Sequence, residues 1–205
     1  MSLPQKSVRY TPEEYLEFER QAETRHEYLD GLVYEMAGES LAHSQLCVNL
    51  AREVSTRLKD KPCQALSPNM KVRAGELGLF AYPDLAIVCG EPLFHDRQRD
   101  VLLNPRAIFE VLSPSTERYD RGKKFMRYGS AIETLTDYIL VSQDMPLLEH
   151  LERQSEGRWL HAFVRGLTER LYLTSIDCEV SLSEVYDRVE FPPEEIEQLL
   201  DASIE

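Results

Sequence analysis

Hydrophobic and polar positions follow two different periods along this chain, and the changes of period divide it into helices and strands. A period of about 3.6 residues produces an apolar stripe on one helical face, carried in the clearest case by Leu46, Leu50 and Val54. Thr11 and Glu14 form a capping-box pattern that predicts the start of another helix. The predicted helices cover residues 11–22, 41–60, 118–131, 183–187 and 193–202.

Short apolar or alternating runs predict the strands. An Asp-Gly pair at residues 30–31 between two alternating runs is typical of a hairpin. Residues 63–74 are interpreted as one strand with a proline interruption, and three alternating runs near the C-terminal end as a meander. There, Trp159, Leu160 and Phe163 are expected to face the core. The other predicted strands cover residues 82–89, 107–112 and 137–142.

The order of these elements is helix, hairpin, helix, and then strands interleaved with one helix. That order predicts an α/β domain built on a mixed central sheet. A length of 205 residues fits a single domain, residues 1–205. No run of 18 apolar residues predicts a membrane span, and the first residues lack the apolar core of a secretory signal.

The cysteines are scattered and form no C-x-x-C pair, so neither a zinc site nor a redox pair is expected from their spacing. Reduced thiols in a cytoplasmic protein are the simplest interpretation. The four residues are Cys47, Cys63, Cys89 and Cys178.

The net charge of −13 argues against a protein that binds nucleic acid with its whole surface. It does not exclude a local basic patch, nor carboxylates that hold cations. One basic cluster stands out in the predicted helix over residues 118–131, and either a solvated helix face or a track for phosphates explains it. Its members are Arg118, Arg121, Lys123, Lys124 and Arg127.

Two carboxylates lie on predicted core strands. Asp84 begins an otherwise apolar strand, and Glu110 lies inside another. A carboxylate in a core is costly unless it is paired or binds a metal. If the two strands are neighbours, the carboxylates converge and provide the oxygen ligands that Mg²⁺ prefers. The alternative is that each acid is exposed at the end of its strand.

Asp120, Lys124 and Tyr128 recur every four residues and therefore share one stripe of the helix that follows Glu110. Because only a tight turn separates that helix from the strand, the ammonium group of Lys124 can reach the same point as Glu110. There it could orient a water or stabilise developing charge. The alternative is an ion pair between Asp120 and Lys124 on a solvated face.

Four segments taken together resemble the Uma-two family of the PD-(D/E)XK nuclease superfamily. They are Tyr-Pro-Asp at 82–84, Phe-Glu-Val-Leu-Ser-Pro-Ser-Thr at 109–116, the Asp-x3-Lys-x3-Tyr pattern at 120–128, and Asp-Tyr-Ile-Leu-Val at 137–141. Residues 25–34 and 42–44 are similar to the family's opening hairpin and first core helix. The resemblance covers about residues 10–190. It implies a restriction-endonuclease-like fold: a mixed sheet flanked by helices, with an antiparallel C-terminal extension.

The resemblance also implies roles for three residues. Asp84 and Glu110 match the metal ligands, for Mg²⁺ or Mn²⁺, and Lys124 matches the catalytic lysine. In most of the superfamily that lysine lies two residues after the second acid, where this chain has Leu112. The Uma-two pattern moves it onto the following helix. Lys123 is the runner-up, and an ideal helix turns it towards solvent.

Surrounding residues are expected to support that site. Asp120 and Tyr128 would hold Lys124 in place. A further residue from the N-terminal half often completes such sites. The candidates for that position are His43 or Gln45 of the first core helix and Glu35 or Glu27 of the hairpin.

The resemblance implies a metal-dependent endonuclease that acts on DNA. Two other functions stay open: a non-catalytic binding or regulatory module on the same fold, and a hydrolase of small phosphoesters. A homodimer is expected, since the C-terminal strands could supply a free sheet edge.

Overall fold

The computed structural model describes residues 9–76 and 78–192. The helices in this part of the chain are α1 (Pro12–Glu19), α2 (Leu41–Arg57), α3 (Glu117–Tyr119), α4 (Phe125–Ala131) and α5 (Leu182–Val185), with a π-helical turn over Asp120–Lys124 between α3 and α4. The strands are β1 (His26–Leu29), β2 (Leu32–Glu35), β3 (Cys63–Leu66), β4 (Lys71–Ala74), β5 (Leu79–Ala81), β6 (Leu85–Cys89), β7 (Val101–Leu102), β8 (Ala107–Val111), β9 (Asp137–Val141), β10 (Leu147–Arg153), β11 (Trp159–Arg165), β12 (Arg170–Leu173) and β13 (Cys178–Ser181).

A six-stranded mixed sheet forms the centre of the domain. Its strands follow the order β11-β10-β9-β8-β6-β3. Strands β8 and β9 are parallel, as a helical crossover between them requires, and the other pairs are antiparallel. The predicted mixed sheet is confirmed, and β10 and β11 form its antiparallel C-terminal extension.

Two smaller sheets accompany the central one. The first has the order β2-β1-β5-β4-β7, and the second contains β12 and β13. The prediction of a single strand over residues 63–74 is therefore wrong, because β3 and β4 belong to different sheets. The predicted three-stranded meander is also wrong in part. Its third strand, β12, pairs with β13 rather than with β11.

Side chains of the central sheet alternate between two cores, as successive residues of a strand must. On β6, Leu85 and Ile87 face the core that contains α2. Ala86 and Val88 face the opposite core, which contains α4 and the five-stranded sheet. Helices thus flank the sheet on both faces, and the ends of β6 and β8 open between these two layers.

The cysteine prediction needs a correction. Cys63 and Cys89 form a disulfide, because the antiparallel pairing of β3 with β6 places them directly opposite each other. That pairing joins residues 26 positions apart in sequence, and no short cysteine spacing announces it. Cys47 and Cys178 are free thiols.

A second correction concerns the outermost strand of the central sheet, β11. Leu160 and Phe163 were expected in the core but are exposed, because β11 is an edge strand and no further layer of the described chain covers it. Trp159 is partly buried and packs against the α4 core, as predicted.

The predicted helices over residues 11–22 and 41–60 are present with shorter bounds. The helix predicted over 118–131 is present but divided into α3, the π-helical turn and α4, and the one predicted over 183–187 corresponds to α5, which begins one residue earlier and ends two residues earlier. The helix predicted for residues 193–202 lies outside the described residues. Within the described part of the chain, no helix is long and apolar enough to cross a membrane.

Candidate active site

Asp84 and Glu110 lie opposite each other on neighbouring strands. The register of β6 and β8 pairs Leu85 with Phe109, and one further step places Asp84 across from Glu110. The backbone N–H of Val111 donates a hydrogen bond of 2.7 Å to Oδ2 of Asp84. The sheet itself therefore holds both carboxylates at one point, where β6 begins and β8 ends.

Glu110 is a buried carboxylate, with only 3% of its surface exposed. Its Oε1 atom accepts no hydrogen bond from the described residues, although one ammonium group lies close by. Burial, together with the neighbouring carboxylates, raises the pKa of Glu110 well above its ordinary value. Such an acid differs from an ordinary core residue, because buried oxygens are usually hydrogen-bonded.

The ammonium group beside Glu110 belongs to Lys124. Its Nζ atom lies 3.0 Å from Oε1 of Glu110, 3.1 Å from Oε1 of Glu27 and 3.4 Å from Oδ1 of Asp120. The side chain is buried, so the alternative of a solvated ion pair with Asp120 does not describe this lysine. The strand, the hairpin and the helix each contribute one carboxylate to it.

A π-helical turn covers Asp120–Lys124, and its first and last residues both face inward. Such a turn accommodates an extra residue and changes the phase of the side chains that follow. Asp120 and Lys124 are both buried, whereas Lys123 between them is exposed. Single-turn π segments are frequent at functional sites.

Negative charge exceeds positive charge at this point. Burial alone would lower the pKa of Lys124, but Glu110, Glu27 and Asp120 together raise it well above its ordinary value. These carboxylates therefore favour the ammonium form of Lys124. Three carboxylates surround this one ammonium group and Asp84 lies close to Glu110, so the excess negative charge favours a further cation.

A cleft of about 1150 Å³ gives access to these residues. Its walls come from the β1–β2 hairpin, the start of α2, the ends of β6 and β8, and the Asp120–Lys124 turn. Among its lining residues are Glu27, Asp84, Glu110, Asp120 and Lys124. The site is thus open to a ligand on one side and closed by the sheet on the other.

The other predicted site residues are placed differently. Tyr128 is fully buried, and its hydroxyl finds no hydrogen-bond partner in the described chain, so it does not bond to Lys124. Glu35 lines the cleft but is exposed and forms no ion pair with any described residue. Gln45 does not line the cleft. Of the hairpin acids, Glu27 is the one that reaches Lys124.

His43 approaches the site from α2. Its Nε2 atom lies 3.5 Å from Oδ2 of Asp84, and its Nδ1 atom lies 3.1 Å from Oε2 of Glu39. Burial alone would lower the pKa of His43, but these two carboxylates raise it. Helix α2 thus contributes a histidine to the cleft, and His43 is one of the candidates that the sequence offered for a further site residue.

The donor set around Glu110 fits a hard divalent cation. Mg²⁺ and Mn²⁺ bind oxygen ligands, and one or two carboxylates with water and substrate phosphate are enough for them. The Oε1 atom of Glu110, which accepts no hydrogen bond although it faces Lys124, and the excess of carboxylates over ammonium groups are the observations that support this fit.

Sequence reasoning missed two features of the site. The π-helical turn leaves no residue signature here. Glu27 was one of two hairpin candidates, and its position opposite Tyr34 in the β1–β2 register does not by itself reveal which acid faces the cleft.

A mixed sheet flanked by helices, with acids on adjoining strands and a lysine on the next helix, defines a protein of the restriction-endonuclease-like type. More particularly, the chain belongs to the Uma2 family, the Uma-two family named above. The family model, described as "Putative restriction endonuclease", matches residues 12–183.

Relatives and a solved structure agree with this assignment. A Synechocystis sp. protein, slr1290, is 33% identical over 182 residues, which cover 88% of this chain and 93% of that protein. Another from the same organism, sll1609, is 32% identical over 156 residues, which cover 76% of this chain and 88% of that protein. A crystal structure described as "a putative nuclease belonging to DUF820", from Anabaena variabilis, matches with a TM-score of 0.72 and 14% identity, covering 88% of this chain and 99% of that one. The last likeness shows the shared fold.

Proposed function

We propose that the protein is a metal-dependent endonuclease that hydrolyses phosphodiester bonds of DNA. The observation that carries the proposal is the contact of 3.0 Å between Nζ of Lys124 and the buried Oε1 of Glu110, at the base of a cleft and beside Asp84. Burial of a carboxylate that lacks a hydrogen bond and of an ammonium group costs folding free energy. The presence of both at one point therefore indicates a function. Family membership supports the same reaction class.

Asp84 and Glu110 would hold the cation, Mg²⁺ or Mn²⁺. When bound, it supplies Lewis-acid polarisation of the scissile phosphate and lowers the pKa of a bound water. Asp84 is already oriented for this task by the N–H of Val111, which occupies one side of its Oδ2 atom. The β6–β8 register fixes the spacing of the two acids, so no large rearrangement is needed.

Lys124 would act as a charge stabiliser. In the cation-free protein Glu110, Glu27 and Asp120 raise the pKa of Lys124, which favours its ammonium form. Its three N–H bonds face Glu110, Glu27 and Asp120, so one of them would turn from its carboxylate to donate to a phosphate oxygen or to orient the water. Either action would offset the negative charge that develops at phosphorus. Glu27 and Asp120 are positioning residues, since they direct the ammonium group towards Glu110.

DNA as the substrate is supported by the walls of the cleft. The exposed side chains of Lys123 and Arg25 line it, and Lys123 forms no ion pair with any described residue. Lysine and arginine side chains along a cleft attract the phosphate backbone. They are basic side chains in a cleft whose lining contains more acidic than basic residues, on a protein whose net charge is −13.

Cleavage of supercoiled plasmid and of single-stranded DNA, with Mg²⁺ and with Mn²⁺, tests the proposal. We expect cleavage by the wild type that chelator abolishes and that Lys124→Ala lacks. Lys123→Ala is the matched control, since it removes a neighbouring but exposed ammonium group, and it should retain chemistry while binding DNA less tightly.

Because Lys124→Ala leaves buried carboxylates unpaired, its thermal unfolding must be compared with that of the wild type. Asp84→Asn with Glu110→Gln serves as a second test, since both changes keep the side-chain shape. Metal-stimulated cleavage retained by that double variant would overturn the proposed site.

We further propose that two copies associate through β11. This strand is one of the two edges of the central sheet and exposes Leu160 and Phe163. Edge strands with exposed apolar side chains tend to pair. Light scattering should report a dimer for the wild type and a monomer for Phe163→Glu.

The cytoplasmic location stays a prediction, and the Cys63–Cys89 disulfide is more typical of oxidising compartments.

A further inference from the structure

Three metal-binding side chains of different kinds meet at the start of α2. Glu39, His43 and Cys47 follow one another at intervals of four residues, so they lie on one side of the helix and its entry. Their ligand atoms all lie within 4.8 Å of one another. Among the described residues, this is the one group of three such side chains with that spacing.

The distances resemble those of a tetrahedral metal centre. Nδ1 of His43 lies 3.1 Å from Oε2 of Glu39 and 3.4 Å from Sγ of Cys47. Typical zinc–ligand bond lengths at tetrahedral angles give separations of about 3.4 Å for nitrogen and oxygen and about 3.6 Å for nitrogen and sulfur. The two distances from His43 are a few tenths of an ångström shorter than these separations, and the ligand atoms of Glu39 and Cys47 lie no more than 4.8 Å apart.

We propose that Glu39, His43 and Cys47 bind Zn²⁺, or a cation of similar preference such as Co²⁺, at a site distinct from the Asp84–Glu110 pair. A thiolate and an imidazole select such cations, whereas Mg²⁺ and Mn²⁺ prefer the oxygen ligands of the neighbouring pair. The two sites therefore differ in chemistry although they share one cleft.

Asp84 supports the proposed site from outside. It lies 3.5 Å from Nε2 of His43, the ring nitrogen that faces away from Glu39 and Cys47. Histidine ligands commonly donate their second N–H to a carboxylate, which fixes the tautomer and leaves the other nitrogen free for the metal. With a proton on Nε2, the lone pair of Nδ1 points at the other two ligands.

The competing explanation is a metal-free pair in which His43 donates from Nδ1 to Glu39. That arrangement accounts for His43 and Glu39 and leaves Cys47 as a packing residue at the edge of the α2 core, so the two explanations differ in whether the thiol binds a cation. The N-terminus of α2 disfavours a cation, and the carboxylate of Glu39, just before the capping residue Ser40, opposes that effect. Three protein ligands leave a fourth position for water or an oxygen of a phosphate.

Titration of the full-length protein with Co²⁺ provides the test, because a cobalt–thiolate bond produces a charge-transfer absorption that an oxygen site lacks. We expect one equivalent of Co²⁺ to produce this band and Zn²⁺ to displace it. Cys47→Ser should abolish the band. Cys178→Ser is the matched control, since it removes the other free thiol, and it should leave the band unchanged.

Two further variants separate this site from the nuclease centre. Asp84→Asn should weaken Co²⁺ binding about 10- to 100-fold, as loss of an outer carboxylate partner does. Glu110→Gln should leave the cobalt band intact even though it removes a ligand of the proposed nuclease site. Failure of DNA cleavage would therefore not affect this inference.

Absence of the band in the wild type, or its persistence in Cys47→Ser, would refute the site. Thermal unfolding of Cys47→Ser shows whether this variant is folded. If that variant is unstable, His43→Gln replaces it, and an unchanged cobalt affinity in His43→Gln would equally refute the site.

Discussion

Glu110 and Asp137 are buried acids on the parallel neighbours β8 and β9, and their surroundings are opposite. Asp137 opens β9 next to Ala107, whereas Glu110 lies three residues further along β8, beside Leu140. Each side chain is almost inaccessible to solvent. The two acids therefore lie in the same sheet and are equally buried, but they lie at opposite ends of its parallel strand pair.

Asp137 is fully satisfied. Its Oδ1 atom lies 2.7 Å from Nε2 of His150, and its Oδ2 atom accepts hydrogen bonds from the hydroxyls of Thr136 and Ser175. Burial alone would raise the pKa of Asp137, but these hydrogen bonds lower it. This carboxylate is held in its ionised form by the fold itself.

Glu110 lacks such partners, and its pKa is raised. The difference shows that burial alone does not identify a functional acid. An acid whose oxygens are all hydrogen-bonded stabilises the fold, whereas an acid left short of partners beside a cleft is prepared to receive a ligand.

The largest expected effect is on activity. Glu110→Gln should lower DNA cleavage by more than about a hundredfold, because it removes a proposed metal ligand and even partners of ligands contribute about 10- to 100-fold. Its thermal stability should be unchanged or higher, since the amide removes excess negative charge. Plasmid cleavage measures the expected loss of activity, and thermal unfolding measures the expected stability of the variant.

Asp137→Asn is the control for that experiment. It also neutralises a buried strand acid, but far from the cleft, and it should leave cleavage nearly unchanged. Equal loss of activity in the two variants would contradict the distinction between Glu110 as a proposed metal ligand and Asp137 as a structural acid.

The next effect is on stability. Asp137→Asn should destabilise the fold by roughly 2–3 kcal/mol, because hydrogen bonds to a charged group contribute about 1.5–3 kcal/mol each and the amide can replace only part of them. Urea unfolding measures the change. A value near that of Glu110→Gln would show that the satisfied network around Asp137 does not stabilise the fold as inferred.

Much of this site could be predicted from the sequence. An apolar run interrupted by Glu110, a tight turn and Lys124 on the following helix together predict the contact that the structure contains. The adjoining strands of Asp84 and Glu110 also follow from the family resemblance. These predictions succeed because turns and periodicity are local properties of the chain.

The rest depends on pairing between distant segments. The approach of Glu27 to Lys124 requires the β1–β2 hairpin to pack against the core that contains α4. The Cys63–Cys89 disulfide requires a particular register of β3 and β6. Neither follows from periodicity. The sequence likewise contains a carboxylate at both Glu110 and Asp137, and only the packed partners separate their roles.

The two acids should also respond oppositely to pH. The pKa of Asp137 is lowered, so its stabilisation is present above its ordinary value of 3.8 and is lost as the pH falls below it. The pKa of Glu110 is raised, so the cation-free fold loses stability as the pH rises above 4.5, the ordinary value of that acid.

Unfolding of the wild type and of Glu110→Gln between pH 4 and 8, roughly the range over which stability is greatest, checks this sign. The wild type should lose stability relative to the variant as the pH rises. Added Mn²⁺ should stabilise the wild type more at higher pH, because the cation binds the ionised carboxylate. A pH-independent difference between the two proteins would contradict the raised pKa of Glu110.

The smallest effect distinguishes two buried tyrosines near Lys124. The hydroxyl of Tyr138 donates a hydrogen bond of 3.1 Å to the backbone carbonyl of Asp120, whereas the hydroxyl of Tyr128 has no partner among the described residues. Tyr138→Phe should therefore cost about 1 kcal/mol, and Tyr128→Phe should be neutral or stabilising by up to about 1 kcal/mol, since it removes an unpaired polar group from the core.

Tyr128→Phe also decides whether Tyr128 holds Lys124, as its place in the family pattern predicts. With no hydrogen bond between them, the variant should retain cleavage. A loss of activity without a loss of stability would show that the hydroxyl acts only when substrate is bound. The unpaired oxygens of Glu110 and Tyr128 would then have the same explanation, because both would be complete only in the liganded state.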